Sequence, residues 1–447
     1  MNTWLTTKTA SERYAMLFNV NPILKSLLLL STVLLSACSV GNAVRMDQVV
    51  LTSSELQQSG QAGETTTIPF TLDSQRIVME ISLEKPNGGR RTALAWFNMG
   101  MAQPVLSKAL YQELQIGSGQ PLRMQIGDRV LQVAPHAVVN GDGGMGVPEF
   151  SHLFAPLPVE TMLPASVLQE FVVTLDYGRR VVTLTKPSVR RIEGVAIPAR
   201  VNPRTGIVSI EISIAGNTYP IVIDAGSGYS WIRGDTARGW LSRHPEWQRS
   251  NGAIGQANAN MVDFDFEKKG TLLRIPQMRL DDVRLQNVGV LGTGPVLGSF
   301  LDGIVGDIFW DNWQKGASTP VIGWIGGNIL KHFSVTIDYP NRVTYWQQQS
   351  PLDSHDLDQV GVNLIRKGDR YFIGGLVRRT EPQSSGPPAA DIQPNDELIA
   401  VDHIPVRGIS KDAVLAALHG VPGDRRVLVI EHRGVRREIE TTVIAFD

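Results

Sequence analysis

A chain of 447 residues with 42% hydrophobic residues is long enough for about three folding units of roughly 150 residues, which excludes a single small fold. The 42 lysines and arginines almost balance the 43 aspartates and glutamates, and no run of like charge reaches five residues. Because nucleic-acid affinity depends on concentrated positive charge, no nucleic-acid partner is expected. The single cysteine excludes an intramolecular disulfide and a metal cluster held by several cysteines.

The first recognisable segment is an apolar run from Ser26 to Ala37 that ends at Cys38. Lys25 precedes it, and its length is that of a signal peptide. The end of the run, Leu35-Ser36-Ala37-Cys38, resembles a bacterial lipobox. The resemblance implies that residues 1–37 are a lipoprotein signal peptide and that Cys38 becomes lipidated. A signal peptide cut for secretion and an uncleaved anchor are the alternatives.

The residues that follow predict a tethered protein of the cell envelope. Ser39 after Cys38 indicates the outer membrane, at its periplasmic face, and both Met1 and Met16 fit as the start of translation. Residues 38–67 are rich in Ser, Gln, Gly and Thr, which predicts a flexible tether. No later stretch approaches about 20 apolar residues, so the lipid is the only expected membrane contact.

The body of the chain is predicted to be mainly β, because short alternating strands separated by Gly, Pro and Asn dominate it. Residues 167–181 align without gaps with residues 329–343, and Leu, Phe, Thr, Asp, Tyr, Arg and Val recur in register. Upstream of each copy, a hairpin leads to a turn that contains Asn98 or Asp224. The shared order of both matches predicts two duplicated lobes, over residues 68–187 and 195–348.

The turn Asp224-Ala225-Gly226-Ser227 follows an apolar strand and resembles the Asp-Thr/Ser-Gly active-site turn of retropepsin-type aspartic proteases. Downstream, Ile325-Gly326-Gly327 resembles the apolar-apolar-Gly element that passes beside that turn, and residues 302–306 are a competing candidate. The resemblance implies two retropepsin-like β-barrel lobes in a pepsin-like order. It also implies that Asp224 is catalytic, with Gly226 and Ser227 in its turn.

The chain departs from the family at three places. Peptide hydrolysis of this type needs two carboxyls about 3 Å apart that share one proton. Asn98 occupies the position of the first aspartate, and an amide cannot take or release that proton. In addition, Pro164-Ala165 stands where the later lobe has Gly326-Gly327, and Ala225 replaces the Thr or Ser that braces the two turns in the family.

Three hypotheses follow from these departures. In the first, the chain is an aspartic peptidase whose second aspartate comes from another copy in a homodimer. In the second, the lobes pair within one chain and form an inactive peptide-binding scaffold. In the third, Asp224-Ala225-Gly226 is an ordinary turn. The first is favoured for function, and the second is its main alternative.

The final segment, residues 352–447, has a strand and helix order that resembles a bacterial PDZ domain, and residues 411–418 predict its helix. The resemblance implies that it binds extended or C-terminal peptides, with the backbone of a loop at Phe372, Ile373, Gly374 and Gly375 holding the terminal carboxylate. The eight histidines show no metal-ligand spacing, and no Gly-x-Ser-x-Gly motif accompanies the serines. No metal and no cofactor are therefore predicted, and Asp176 and Asp338, which recur in the repeat, are expected to be structural.

Overall fold

The computed structural model describes residues 64–141, 149–187, 191–251, 270–294, 308–376 and 392–446. They are mainly β, which confirms the predicted class, and they belong to one compact unit that runs from Met46 to Asp447. The predicted signal peptide and Cys38 lie outside the described residues.

The predicted tether is wrong at its end, because Thr65, Thr66 and Thr67 form part of a strand and pair with residues 183–185. Their β-branched side chains suit a pleated surface.

The first β region comprises residues 64–187. Its strands are β1 (Thr65–Asp73), β2 (Arg76–Glu84), β3 (Arg90–Asn98), β4 (Val105–Leu106), β5 (Leu122–Ile126), β6 (Arg129–Val133), β7 (Val139–Asn140), β8 (Val159–Pro164), β9 (Val172–Asp176) and β10 (Val181–Thr185). Its helices are α1 (Lys108–Glu113) and α2 (Phe150–Phe154), and its 3-10 helices are Ile116–Ser118, Pro135–Ala137 and Ala165–Leu168.

The second β region comprises residues 191–348. Its strands are β11 (Val195–Pro198), β12 (Arg200–Val201), β13 (Val208–Ile214), β14 (Asn217–Ile223), β15 (Trp231–Ile232), β16 (Arg249–Asn251), β17 (Thr271–Leu280), β18 (Val283–Gly292), β19 (Gly323–Ile325), β20 (Phe333–Asp338) and β21 (Val343–Gln348). Its helices are α3 (Gly234–Arg243), α4 (Ile308–Ala317) and α5 (Gly327–Leu330).

The C-terminal region comprises residues 352–446. Its strands are β22 (Val362–Lys367), β23 (Arg370–Leu376), β24 (Glu397–Val401), β25 (Ile404–Pro405), β26 (Arg425–His432) and β27 (Val435–Thr442). The predicted helix is present as α6 (Lys411–Leu418), and the Ser410 hydroxyl caps it by accepting from the Ala413 N–H. Within the described residues, these strands form a sheet in the order β22-β23-β24-β26-β27, with β25 beside β24.

The two β regions share a continuous sheet, because β9 pairs antiparallel with β20. In the described part of the chain, the strand order of this sheet is β11-β21-β20-β9-β10-β1-β2-β3-β8-β4-β7, and β5 joins it through β2 and carries β6. The other strands of the second region form a sheet in the order β12-β13-β14-β19-β15-β18-β17-β16. The two repeated sequence segments therefore lie next to each other.

Each repeated segment folds as a short helical turn, a strand, a tight turn and a return strand. The recurring aspartates lie at the tight turns. The Asp176 carboxylate accepts a hydrogen bond from the Arg179 N–H at 2.8 Å, and the Asp338 carboxylate accepts from the Asn341 N–H at 3.1 Å. Such bonds to a backbone N–H a few residues later stabilise turns, so these carboxylates have a structural role.

The buried apolar residues form two clusters. One spans both β regions and also contains Leu357 and Phe446, and the other lies within the C-terminal region. A buried ion pair joins β17 to the segment that precedes β22, because Arg274 lies 2.7 Å from the Asp356 carboxylate. The Arg274 guanidinium also lies 5.7 Å from the centre of the Phe446 ring. The C-terminal region is thus packed against the second β region through both of its ends.

Candidate functional site at the Asn98 and Asp224 turns

Asn98 and Asp224 occupy matching positions at the ends of two buried strands. Asn98 ends β3, which runs parallel to β8 and places Pro164 directly opposite Asn98. Asp224 follows β14, which runs parallel to β19 and places Ile325 opposite Ile223. Gly326-Gly327 therefore follows the strand that passes beside the Asp224 turn, and the competing candidate at residues 302–306 lies outside the described residues.

The structure brings the two turns into contact within one chain. The Gly100 N–H lies 3.0 Å from the Asn98 Oδ1 and also 3.0 Å from the Asp224 Oδ1. A Cβ atom built on Gly226 would lie only 2.5 Å from the Asn98 Cγ, and one built on Gly100 would lie 2.7 Å from the Asp224 Oδ2. Both glycines are required because the opposite turn fills the space where a side chain would be.

The Asp224 carboxylate is buried, with 4% of the residue exposed, and it accepts several hydrogen bonds. The Gly226 N–H donates to its Oδ1 at 2.8 Å, and the Ser227 hydroxyl donates to its Oδ2 at 2.6 Å. Burial raises the pKa of Asp224 above its ordinary value, while the hydrogen bonds from Ser227, Gly226 and Gly100 act in the opposite direction. The Asp224 carboxyl is therefore buried and held at a defined orientation.

The Asn98 carboxamide is oriented by the same backbone group. The Gly100 N–H can only donate, so the Oδ1 of Asn98 must face it and the Nδ2 must face away. In the described part of the chain, the Nδ2 has no hydrogen-bond acceptor, whereas the Oδ1 is satisfied. The pair thus combines one group that can exchange a proton with one that forms hydrogen bonds but cannot exchange a proton.

Several supporting residues were not anticipated from the sequence. The Trp96 indole N–H donates to the Gly226 carbonyl at 3.0 Å, which joins the two turns where Ala225 lacks a hydroxyl. The Asn328 Oδ1 accepts from both the N–H and the hydroxyl of Ser230, at 2.9 and 2.8 Å. In the sequence, Asn328 could have been found as a supporting residue because it follows an apolar strand and two glycines. No sequence pattern distinguishes Trp96 from an ordinary core residue.

The predicted carboxylate-binding loop in the C-terminal region needs correction. Phe372, Ile373, Gly374 and Gly375 do not form a loop but lie in β23, between β22 and β24. The Ile373 N–H donates to the Asp396 carbonyl and its carbonyl accepts from the Asn395 N–H, so both groups are occupied. A Cβ atom on Gly374 would lie 2.4 Å from the Asn363 Oδ1. That glycine is needed for strand packing rather than for a turn.

Two further observations concern metals and membranes. No group of three or more His, Cys, Asp or Glu side chains in the described ranges is arranged to hold a metal ion. Among these residues, no helix combines the length and the apolar character required to cross a bilayer.

No protein-family model matches the chain, and no curated protein matches its sequence. The interpretation of this site therefore depends on the geometry of Asn98 and Asp224 and on the sequence patterns that led to them.

Proposed function

We propose that the chain binds extended polypeptides beside the Asn98 and Asp224 turns, as a protein with two retropepsin-like lobes that does not cut them efficiently. The proposal places it in the cell envelope, anchored by lipid on Cys38. The single observation that carries it is the contact between the two turns, in which one N–H of Gly100 reaches both the Asn98 amide oxygen and the Asp224 carboxylate.

The chemistry of the pair supports binding over cutting. Hydrolysis by two carboxyls requires one of them to give a proton to the peptide carbonyl while the other takes one from water. Asn98 can donate a hydrogen bond to a carbonyl through its Nδ2, but it cannot transfer a proton. Both groups remain suited to the backbone of an extended peptide, because Asp224 accepts from N–H groups and Asn98 donates to C=O groups.

The strand arrangement supports the assignment of the two β regions as related lobes. Both regions place a hairpin before the turn, as β2 with β3 and as β13 with β14. In both, the strand that ends at the turn runs parallel to a later strand, which is followed by a short helical segment and one of the repeated strands. The pairing of β9 with β20 supports a two-fold relation between the lobes.

The order of elements in the C-terminal region supports a PDZ-like module. An antiparallel pair, β22 and β23, is followed by β24, α6 and the hairpin of β26 and β27. We include peptide binding by this module in the proposal. The position of its peptide site is left open, since the expected loop lies within β23.

The hypothesis of a dyad completed by a second copy is not part of the proposal. The position beside Asp224 is already occupied by the Asn98 turn of the same chain. A Cβ atom built on Gly226 would lie 2.5 Å from the Asn98 Cγ, so no space is left for a turn from another chain. A homodimer formed through some other surface would not change the composition of this pair.

A second candidate function is slow hydrolysis by Asp224 alone. It is favoured by the raised pKa of Asp224, because a carboxylate with a raised pKa is a stronger base toward the attacking water. In this reaction Asp224 would take a proton from the attacking water, Asn98 would stabilise the carbonyl oxygen, and the protonated Asp224 would return the proton to the leaving amine. The atoms balance without any further group.

The test is binding of a fluorescently labelled, unfolded polypeptide at pH 4 to 7, followed by electrophoresis of the same samples. We expect saturable binding with no fragments, and slower hydrogen exchange at residues 98–101 and 224–230 in the bound state. Fragments made by the natural chain but not by Asp224→Asn would favour the second candidate function. Absence of binding, or protection only within the C-terminal region, would overturn the proposal for the two turns.

A further inference from the structure

The hairpin turn between β1 and β2 packs against the Asp224 turn. A Cβ atom built on Gly228 would be only 1.9 Å from the Ser74 carbonyl oxygen. The Ile77 N–H, near the start of β2, donates to the Ala225 carbonyl at an N···O distance of 3.5 Å. The first β region therefore contacts the backbone directly after Asp224 and again at Gly228, where no space is left for a side chain.

Arg76 fixes the shape of this hairpin turn. Ser74 and Gln75 have φ values of 49° and 64°, in the left-handed region that residues other than glycine rarely adopt. The buried Arg76 guanidinium donates to the Asp73 carbonyl at 3.1 Å and to the Asp73 carboxylate at 2.5 Å. These charge-assisted bonds join the two residues that flank the turn, so they hold its unfavourable backbone conformation in place.

The same guanidinium lies against α2. It donates to the Leu153 carbonyl at 3.0 Å, and its central carbon lies 4.2 Å from the centre of the Phe154 ring. A cation at this distance from an aromatic ring is attracted to it, and the attraction is stronger where water is excluded. Because the Phe154 side chain is fully buried, its ring supports the hairpin turn through Arg76.

Phe154 also contacts a side chain that reaches the Asp224 turn at a different residue. Its ring centre lies 5.4 Å from that of Trp96, and the two ring planes are inclined at 59°. Tilted aromatic pairs at this distance attract each other. The Trp96 indole N–H donates to the Gly226 carbonyl at 3.0 Å. Arg76, Phe154 and Trp96 thus form one continuous stack, with Phe154 in the middle.

The stack acts on the residues that orient the Asp224 carboxylate. The Gly226 N–H donates to the Asp224 Oδ1, and the Ser227 hydroxyl donates to the Oδ2. Trp96 holds Gly226 by its carbonyl, while the hairpin turn lies against Gly228, directly after Ser227. A shift at either end of the stack would therefore reach the carboxylate through a neighbouring residue of the turn.

We propose that Phe154 is a positioning residue for Asp224, because it holds Arg76 and Trp96 in the places from which they support the Asp224 turn. The helix α2 would then be a structural part of the site. The importance of this inference rests on the proposed function, but its test does not, since the test measures order at the Asp224 turn and not peptide binding.

The experiment is hydrogen–deuterium exchange of the full chain, followed by mass spectrometry, for Phe154→Leu and Trp96→Phe. Phe154→Leu keeps a large apolar side chain but removes the ring, whereas Trp96→Phe keeps a ring but removes the N–H. Loss of such a contact corresponds to about tenfold faster exchange where the contact limits opening. We expect this increase at residues 73–77 and 224–230 in Phe154→Leu, and only at residues 224–230 in Trp96→Phe.

Two further variants separate positioning from a general loosening of the core. Because Phe154 acts on Gly226 through Trp96, the increase at residues 224–230 in the double variant should be smaller than the product of the two single increases. Arg76→Lys keeps a cation beside Asp73 but loses the forked guanidinium, so we expect a smaller increase at the same two segments. This variant decides the question if Phe154→Leu does not fold.

The matched control is Phe171→Leu. Phe171 is also a buried ring beside a buried arginine, since the Arg129 guanidinium lies 5.9 Å from its centre. We expect no change at residues 224–230 in this control, and residues 271–280 of the second β region are the internal reference in every variant.

Unchanged exchange at residues 224–230 in Phe154→Leu would overturn the inference. An equal increase in Phe171→Leu, an equal increase over the whole chain or a fully multiplicative effect in the double variant would also overturn it. If Phe154→Leu does not fold, unchanged exchange at residues 224–230 in Arg76→Lys would do the same. A chain that binds no peptide would count against the proposed function and leave this result intact.

Discussion

The hydroxyl oxygens of Thr174 and Thr336 lie 2.9 Å apart, on residues that face each other directly across β9 and β20. Each threonine belongs to one of the two repeated sequence segments. Their hydrogen bond therefore joins equivalent positions of the two β regions, at the strand pair through which the two regions form one sheet. The shared sheet also contains β3, which ends at Asn98, whereas Asp224 follows β14 of the second sheet.

Removing this hydrogen bond should weaken the junction between the two regions. We expect Thr336→Val to lower the free energy of unfolding by about 1 kcal/mol, the usual contribution of such a bond. A double-mutant cycle with Thr174→Val, measured by urea unfolding, should show that the two changes are not additive. The matched control is Thr65 and Thr185, an exposed pair at 3.4 Å, for which we expect a smaller coupling. Equal coupling energies in both pairs would contradict a specific role for the Thr174–Thr336 pair.

Much of the fold could be predicted because its signals are local. Strand alternation and the glycine and asparagine turns predicted a mainly β chain, and the helix at Lys411–Leu418 was predicted at its observed bounds. The repeat could be found because each copy keeps residues with a physical task, such as the aspartates that cap their turns. The pairing of the two copies with each other is a long-range contact, and no local pattern specifies it.

The site was predictable only in part, for a related reason. A polar residue after an apolar strand, followed by glycine two positions later, identified both Asn98 and Asp224. The hydrogen bond from Trp96 and the position of the Ser74 turn depend on tertiary contacts between distant segments, so the sequence did not indicate them. The prediction at Phe372 to Gly375 was wrong because a local pattern was given too much weight. The two glycines were interpreted as a loop, whereas a glycine is needed at position 374 because the Asn363 side chain packs against it.

The close contact of the two turns predicts a strong effect at Gly226. A methyl group in Gly226→Ala would overlap Asn98, so we expect a loss of roughly 1 to 3 kcal/mol in the free energy of unfolding, as for overpacked sites. Gly375→Ala is the matched control, since no atom lies within 4 Å of its added Cβ. Urea unfolding of both variants makes the comparison. A Gly226→Ala protein as stable as the control would show that the turns do not touch in solution.

The raised pKa of Asp224 predicts a pH-dependent difference between the natural chain and Asp224→Asn. A carboxyl whose folded pKa exceeds its unfolded value gives a contribution to stability that is fully present below the unfolded pKa. That contribution is lost as the pH rises through the folded value. The natural chain should therefore lose stability relative to Asp224→Asn between mildly acidic and neutral pH. Thermal unfolding of both proteins at several pH values is the measurement, and a difference that does not vary with pH would contradict the burial of an ionisable Asp224.

The ion pair between Arg274 and Asp356 predicts that the C-terminal region stabilises the second β region. Both side chains are less than 10% exposed, so Arg274→Met should cost about 3 to 5 kcal/mol by leaving a buried carboxylate without its partner. Arg200→Met is the control, because Arg200 forms an exposed pair with Glu211 and should cost less than about 1 kcal/mol. Similar costs in the two variants, measured by urea unfolding, would argue against this connection.

The most direct test of the central claim, that one carboxyl and one carboxamide form the pair, is proteolysis of an unfolded polypeptide by Asn98→Asp. This change would place two carboxyls at facing turns, where they can share a proton. We expect cleavage at roughly pH 3 to 6, absent from the natural chain and from the double variant with Asp224→Asn. An Asn98→Asp protein that is folded and binds peptide but cuts no faster than the double variant would contradict the account. A natural chain that already cuts as fast as Asn98→Asp would contradict it equally.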